Sequence, residues 1–222
     1  MSTIYDFGPQ HRDDSNRLLF KINAILAKVV NGDFGFLIRG SVAPTVGGTA
    51  VSESNPLPVT GLITNPSGSF SRPADTTAYA IGDLVANSTT AGSVTPISVT
   101  AARVAGGSFM LRRLKLKKTN VSTTNAQFRI HIYSAAAAIT CTNGDNGAWS
   151  TNQSANYIGA FDVIVDRVFT DGSVGMATPV VGFEMSVDLS SGTDFYALIE
   201  ARAAYTPTSG ETFTVTVDNL PN

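Results

Sequence analysis

A chain of 222 residues is long enough for one β-sandwich with an appended arm, or for two small domains, and it can bury a useful core without disulfides or metal. Hydrophobic residues make up 43% and charged residues only 14%, against about 25% charged in typical soluble domains; Ser, Thr, Asn, Gly and Ala fill the gap. A net charge of −2 calls for no nucleic-acid partner, the single cysteine (Cys141) excludes an internal disulfide, and the longest apolar run falls short of the roughly eighteen residues that a membrane helix needs. Such a surface is polar but weakly charged, which suits repeated contact with other proteins. The polar start, Met1 to Arg17, predicts no secretory signal.

In chain order, the cluster Asp13-Asp14-Ser15-Asn16 supplies helix N-caps. Leu18, Leu19, Ile22, Ile25, Leu26, Val29 and Val30 follow at spacings of three and four, and Asn31-Gly32 provides the stop. The pattern predicts one amphipathic helix over about 14–30 within an N-terminal arm, 1–40. Residues 41–70, with Gly47-Gly48 and Pro44, Pro56, Pro58 and Pro66, read as an extended linker.

Residues 71–222 alternate with a period of two, and strands are predicted at 81–86, 94–103, 108–118, 126–133, 157–166, 180–187, 195–201 and 212–217. Gly106-Gly107, Asn143-Gly144-Asp145-Asn146-Gly147, Asp171-Gly172, Ser191-Gly192 and Ser209-Gly210 supply the turns. The expected fold is mainly β: an antiparallel β-sandwich, jelly-roll-like, carrying an N-terminal helix and an extended arm.

Residue types that carry chemistry are sparse. The two histidines, His11 and His131, lack metal-ligand spacing and are expected to be solvated, His131 on a strand surface. Asp162 and Asp166 share a strand face with about 13 Å between their Cβ atoms, too far for a retaining glycosidase pair. No nucleophile elbow or phosphate loop occurs. The turn 143–147 carries oxygen donors but too few carboxylates for a good calcium site. No enzyme, cofactor or metal is therefore expected. The strongest charge feature is Arg112-Arg113-Leu114-Lys115-Leu116-Lys117-Lys118. As a strand it sets Arg113, Lys115 and Lys117 on one side, either as a grip for an acidic partner or as the lysines of an edge strand that discourage aggregation.

The segment Ser69-Phe70-Ser71-Arg72-Pro73-Ala74-Asp75-Thr76-Thr77-Ala78-Tyr79-Ala80-Ile81-Gly82-Asp83-Leu84-Val85-Ala86-Asn87 resembles a family of tailed-phage and prophage virion structural proteins that carry an RPADTTAY…GDLVANS stretch. The resemblance continues through 109–118 and 143–149 to the C-terminus, about two-thirds of the chain. It implies a virion structural role, similar to capsid decoration (cement) proteins, and brings no catalytic residue.

The expected function is thus a non-enzymatic decoration protein in the virion, bound to the major capsid protein and to copies of itself, with a trimer favoured and neither nucleic acid nor membrane involved. Its partner contacts are expected from Leu18, Leu19, Ile22, Ile25, Leu26 and Val29 on the helix and from Arg113, Lys115 and Lys117 on the strand. The alternative is a tail, baseplate or fibre subunit with a carbohydrate-binding head, for which Trp149, Tyr157 and Tyr133 are the candidate aromatics.

Overall fold

The computed structural model describes residues 63–135, 143–152 and 154–221, together with two short paired strands further upstream. The expected helix at 14–30 and its contact residues Leu18, Leu19, Ile22, Ile25, Leu26 and Val29 lie outside the described residues, as do His11 and Cys141. Two compact units divide the chain, Met1–Val59 and Thr60–Asn222. In the first, β1 (Thr45–Val46) pairs antiparallel with β2 (Thr49–Ala50) inside the stretch expected to be a linker.

The second unit is mainly β. Its strands are β3 (Ser67–Ser71), β4 (Leu84–Val85), β5 (Ile97–Thr100), β6 (Ser108–Lys118), β7 (Gln127–Tyr133), β8 (Tyr157–Phe169), β9 (Gly172–Ala177), β10 (Met185–Asp188), β11 (Asp194–Ala201) and β12 (Thr212–Pro221). All pair antiparallel in one sheet of order β3-β12-β6-β9-β8-β7-β11-β4, with β10 also on β6 and β5 also on β11. The sheet reaches back before residue 71, because Ser67–Ser71 pairs with Thr212–Thr216 and Thr64 bridges Asn219.

The sheet curls into a half-barrel, and β8 is where it turns. The first part of this strand pairs with β7, from Tyr157 to Ile164, and the last part with β9, from Val165 onward. A bulge between Val165 and Arg167 marks the change of partner, as expected where a strand must bend and twist. Gly175 sits across from Val165; a Cβ there would collide with the Ile164 carbonyl and lie 2.7 Å from Val163 Cγ1, so only glycine allows this approach.

Alternation then sorts the side chains. Phe109, Leu111, Leu114 and Leu116 of β6 and Phe213, Val215 and Val217 of β12 point inward and are fully buried. They meet Phe128, Ile130 and Ile132 of β7, Phe161 and Val163 of β8, and Phe195 and Ile199 of β11. The rings Phe109–Phe195 and Phe128–Phe213 touch with centroids 5.9 and 5.4 Å apart, joining the two arms of the curl. A smaller cluster, Leu84, Ala86, Val94, Tyr133 and Leu198 with Trp149 and Tyr196 against it, lies apart from this core. It buries outward-facing positions of β7 and β11 under the loops that follow β4 and precede β8, so β11 is covered on both faces.

Several strands differ from the periodicity. The expected strand at 81–86 contracts to β4, since Gly82 takes a left-handed turn (φ 90°) just before it. The expected strand at 180–187 contracts to β10, and Val180, Val181 and Phe183 lie instead in an exposed loop. β3 and β9, rich in Gly and Ser, carry too weak an apolar alternation to be expected, yet both pair fully with long neighbours.

Candidate interaction surfaces

Arg72 and Tyr79 of the 72–87 segment and Asp145 of the 143–149 segment come together inside the protein. Arg72, whose side chain is fully buried, donates to Asp145 across 2.7 Å and to the Tyr79 hydroxyl. Tyr79 in turn donates to the second oxygen of Asp145 at 2.7 Å, and the Ala86 amide donates to that same oxygen. Burial works against the Arg72 cation, but Tyr79 and Asp145 more than offset it and its pKa is raised. Burial, reinforced by Asp145, pushes the Tyr79 hydroxyl well above its usual value, so it stays a donor. Asp145 is therefore the anchor of a buried clamp, which removes the one carboxylate that a calcium site in the 143–147 turn would need.

A second buried set adjoins it. Lys118, at the inward-turning end of β6, donates to the carbonyls of Asn120 (2.9 Å) and Ser122 (2.5 Å), with Glu211 3.6 Å away. Burial lowers the Lys118 pKa, and Glu211 opposes that shift. Glu211 also accepts from the Tyr205 hydroxyl at 2.7 Å, and the Tyr205 ring stacks on Tyr79 with centroids 6.5 Å apart. These groups are committed to the fold.

The outer face of the sheet carries the cations. Arg113, Lys115 and Lys117 project to that face, opposite Asp218, Thr216 and Thr214 of β12. β6 is an interior strand, flanked by β12 on one side and by β9 and β10 on the other, so the edge-strand reading of its lysines fails. Arg113 pairs with Asp218 at 2.8 Å, Lys117 with Asp171 at 2.5 Å and Arg112 with Glu184 at 2.8 Å. Among the described residues Lys115 has no ion pair.

On their other flank, Lys115 and Lys117 lie in register with Met176 and Val174 of β9. Met176 and Val174 line a hollow of about 490 Å³ with Ile164, Phe169, Asp166 and Arg167 of β8. Ile164, Val168, Phe169 and Met176 are each more than half exposed. A few of the loop residues between β9 and β10 are barer still, Val181 at 86% and Phe183 at 88%. Ile164, Phe169 and Met176, which line that one hollow, form an apolar strip beside the cation row, of the kind that marks protein contacts.

Asp162 and Asp166 do share the outer face, with Ile164 between them. Asp162 is held by Arg129 through two bonds of 2.6 and 2.7 Å, and hydrogen bonding from Arg129 lowers its pKa. Asp166 has Arg167 at 3.9 Å.

His131 is not a surface residue: it is 8% exposed, its Nε2 lies 2.9 Å from Glu200, and its ring stacks on Trp149 at 4.0 Å. Strand alternation does place it outward on β7, and the loop carrying Trp149 then covers it. Trp149, Tyr157 and Tyr133 are brought together around it; Tyr133 meets Tyr157 edge-on at 5.5 Å. With Thr151 and Ser154 they line an open hollow of about 260 Å³. Their spacing in sequence gives no sign of this assembly, which depends on the β7–β8 register Tyr133↔Tyr157 and on the loop folding back.

No group of three or more His, Cys, Asp or Glu side chains fit to hold a metal occurs among the described residues, and no described helix is long and apolar enough to cross a membrane. No protein-family model matches the chain, and no curated protein matches its sequence.

Proposed function

We propose that this chain is a non-enzymatic structural protein of a tailed-phage virion, acting as a capsid decoration protein that binds the major capsid protein and copies of itself, with a trimer favoured. The observation that carries this reading is the exposed strip of Ile164, Phe169 and Met176 beside the row of Arg113, Lys115 and Lys117. Exposed apolar area of this kind gains stability on docking, and the flanking cations select an acidic partner and set the register. The resemblance of the 69–87 segment to virion proteins supports the same reading, and so does the place of Arg72 and Tyr79, which hold the fold together with Asp145. We further read the curl as the jelly-roll-like sandwich common among such proteins, supported by ring contacts that join its two arms.

Co-sedimentation of the purified protein with empty expanded capsids, followed by cryo-electron microscopy, tests the proposal. Regular density at local symmetry axes of the shell is the expected outcome. Absence from capsids together with presence in isolated tails would overturn it.

A further inference from the structure

Separately from any place in a virion, we propose that the hollow formed by Tyr133, Trp149, Tyr157, Thr151 and Ser154 is a binding site for a neutral saccharide. A pyranose ring has one apolar C–H face and a rim of hydroxyls. It is recognised where a flat aromatic surface meets hydrogen-bonding groups at the edge of water. Tyr157 offers such a surface, being 42% exposed while its ring is fixed edge-on by Tyr133 and tilted against His131. Trp149 is partly buried and held by stacking on His131, whose own orientation is set by Glu200. Ser154 and Thr151 line the same hollow.

The charges around the hollow argue for a neutral ligand. Asp162 is held by Arg129, and Glu200 by both His131 and Arg202, the latter at 3.0 Å. Asp162 and Glu200 are thus each already balanced, leaving among the described residues around the hollow no surplus from these carboxylates for a cation over the rings and no uncommitted cation for an anion. The same bonds hold the surrounding side chains in place before a ligand arrives, which lowers the ordering cost of binding. A volume of about 260 Å³ lies just under the range of about 300–1,000 Å³ for drug-sized ligands and suits a single sugar ring.

Trp149 is the only tryptophan in the chain, so its fluorescence reports this site directly. The full chain is titrated with glucose, galactose, mannose, rhamnose and N-acetylglucosamine, with choline and inorganic phosphate as charged comparisons. The expected result is a saturable change in emission with at least one neutral sugar at millimolar concentration. Tyr157→Ala is expected to weaken that binding by about tenfold or more, as loss of a stacking surface does elsewhere, measured at a temperature where its thermal unfolding shows the variant to be folded. Ser154→Ala is expected to weaken it several-fold, and Phe183→Ser, away from the hollow, to leave it intact. No saturable change with any of the sugars, an equal response in Tyr157→Ala, or a response to choline or phosphate that exceeds every sugar would each overturn the proposal. Capsid binding has no bearing on this result, so the two readings fail independently.

Discussion

Arg72 and Asp145 are both stripped of water, and each is tolerable only because the other is there. Removing one partner strands the other, so Arg72→Met is expected to destabilise the fold by about 3–5 kcal/mol in chemical denaturation. Tyr79→Phe removes the donor to Asp145 and the acceptor for Arg72 but leaves the ion pair, and is expected to cost about 1–3 kcal/mol. His131 responds to pH in a defined direction. Burial lowers its pKa below the usual 6.5, although Glu200 pulls the other way. The unfolded chain therefore takes up the proton more readily than the folded one. The contribution to stability is complete above the unfolded value and is lost as pH falls through 6.5 toward the folded value. Thermal midpoints measured between about pH 8 and pH 5 should fall, and His131→Gln should flatten that part of the profile. The carboxylates Asp162 and Asp194 have lowered pKa values, through bonds from Arg129 and Ser98, so their contribution is lost only in more acidic solution, below the usual 3.8.

At the scale of the strand, close backbone approach decides what the curl can do. β3 comes so near β5 that a Cβ on Gly68 would strike the Ser98 carbonyl and lie 2.7 Å from Ile97 Cγ2. Gly68→Ala is expected to push the two strands apart and destabilise by about 1–3 kcal/mol, visible as faster amide exchange in β3 and β5 than in β6 and β12. The same scale separates what alternation reveals from what it hides. β6 lies where its pattern places it, Ser108–Lys118, with Leu114 and Leu116 inward and Arg113, Lys115 and Lys117 outward. β9 has the sequence Gly-Ser-Val-Gly-Met-Ala, whose apolar alternation is only Val174 and Met176, and it forms because β6 and β8 present two long partner edges. His131 reads as a surface residue because alternation points it away from the core. It is buried because a loop distant in sequence lays Trp149 over it.

At the scale of the molecule, the proposed docking face can be disarmed without touching the core. Ile164 and Met176 are exposed, so the double substitution Ile164→Asp, Met176→Asp should keep stability within about 0.5 kcal/mol. It should reduce capsid co-sedimentation by at least about tenfold, equivalent to about 1.4 kcal/mol. Lys115→Glu should weaken the same association more at low salt than at high salt, because exposed charges are screened.

The mainly β class and the long strands β6, β7, β11 and β12 were determined by the sequence itself. They follow from period-two alternation and composition, which are local properties. The interior place of β6, the clamp of Arg72, Tyr79 and Asp145, the exposed strip on β8 and β9, and the assembly of Tyr133, Trp149 and Tyr157 were decided only by the tertiary structure. Each depends on which strands pair and in what register, and on loops that return over the sheet. Those are contacts between residues far apart in the chain, and no local periodicity encodes them.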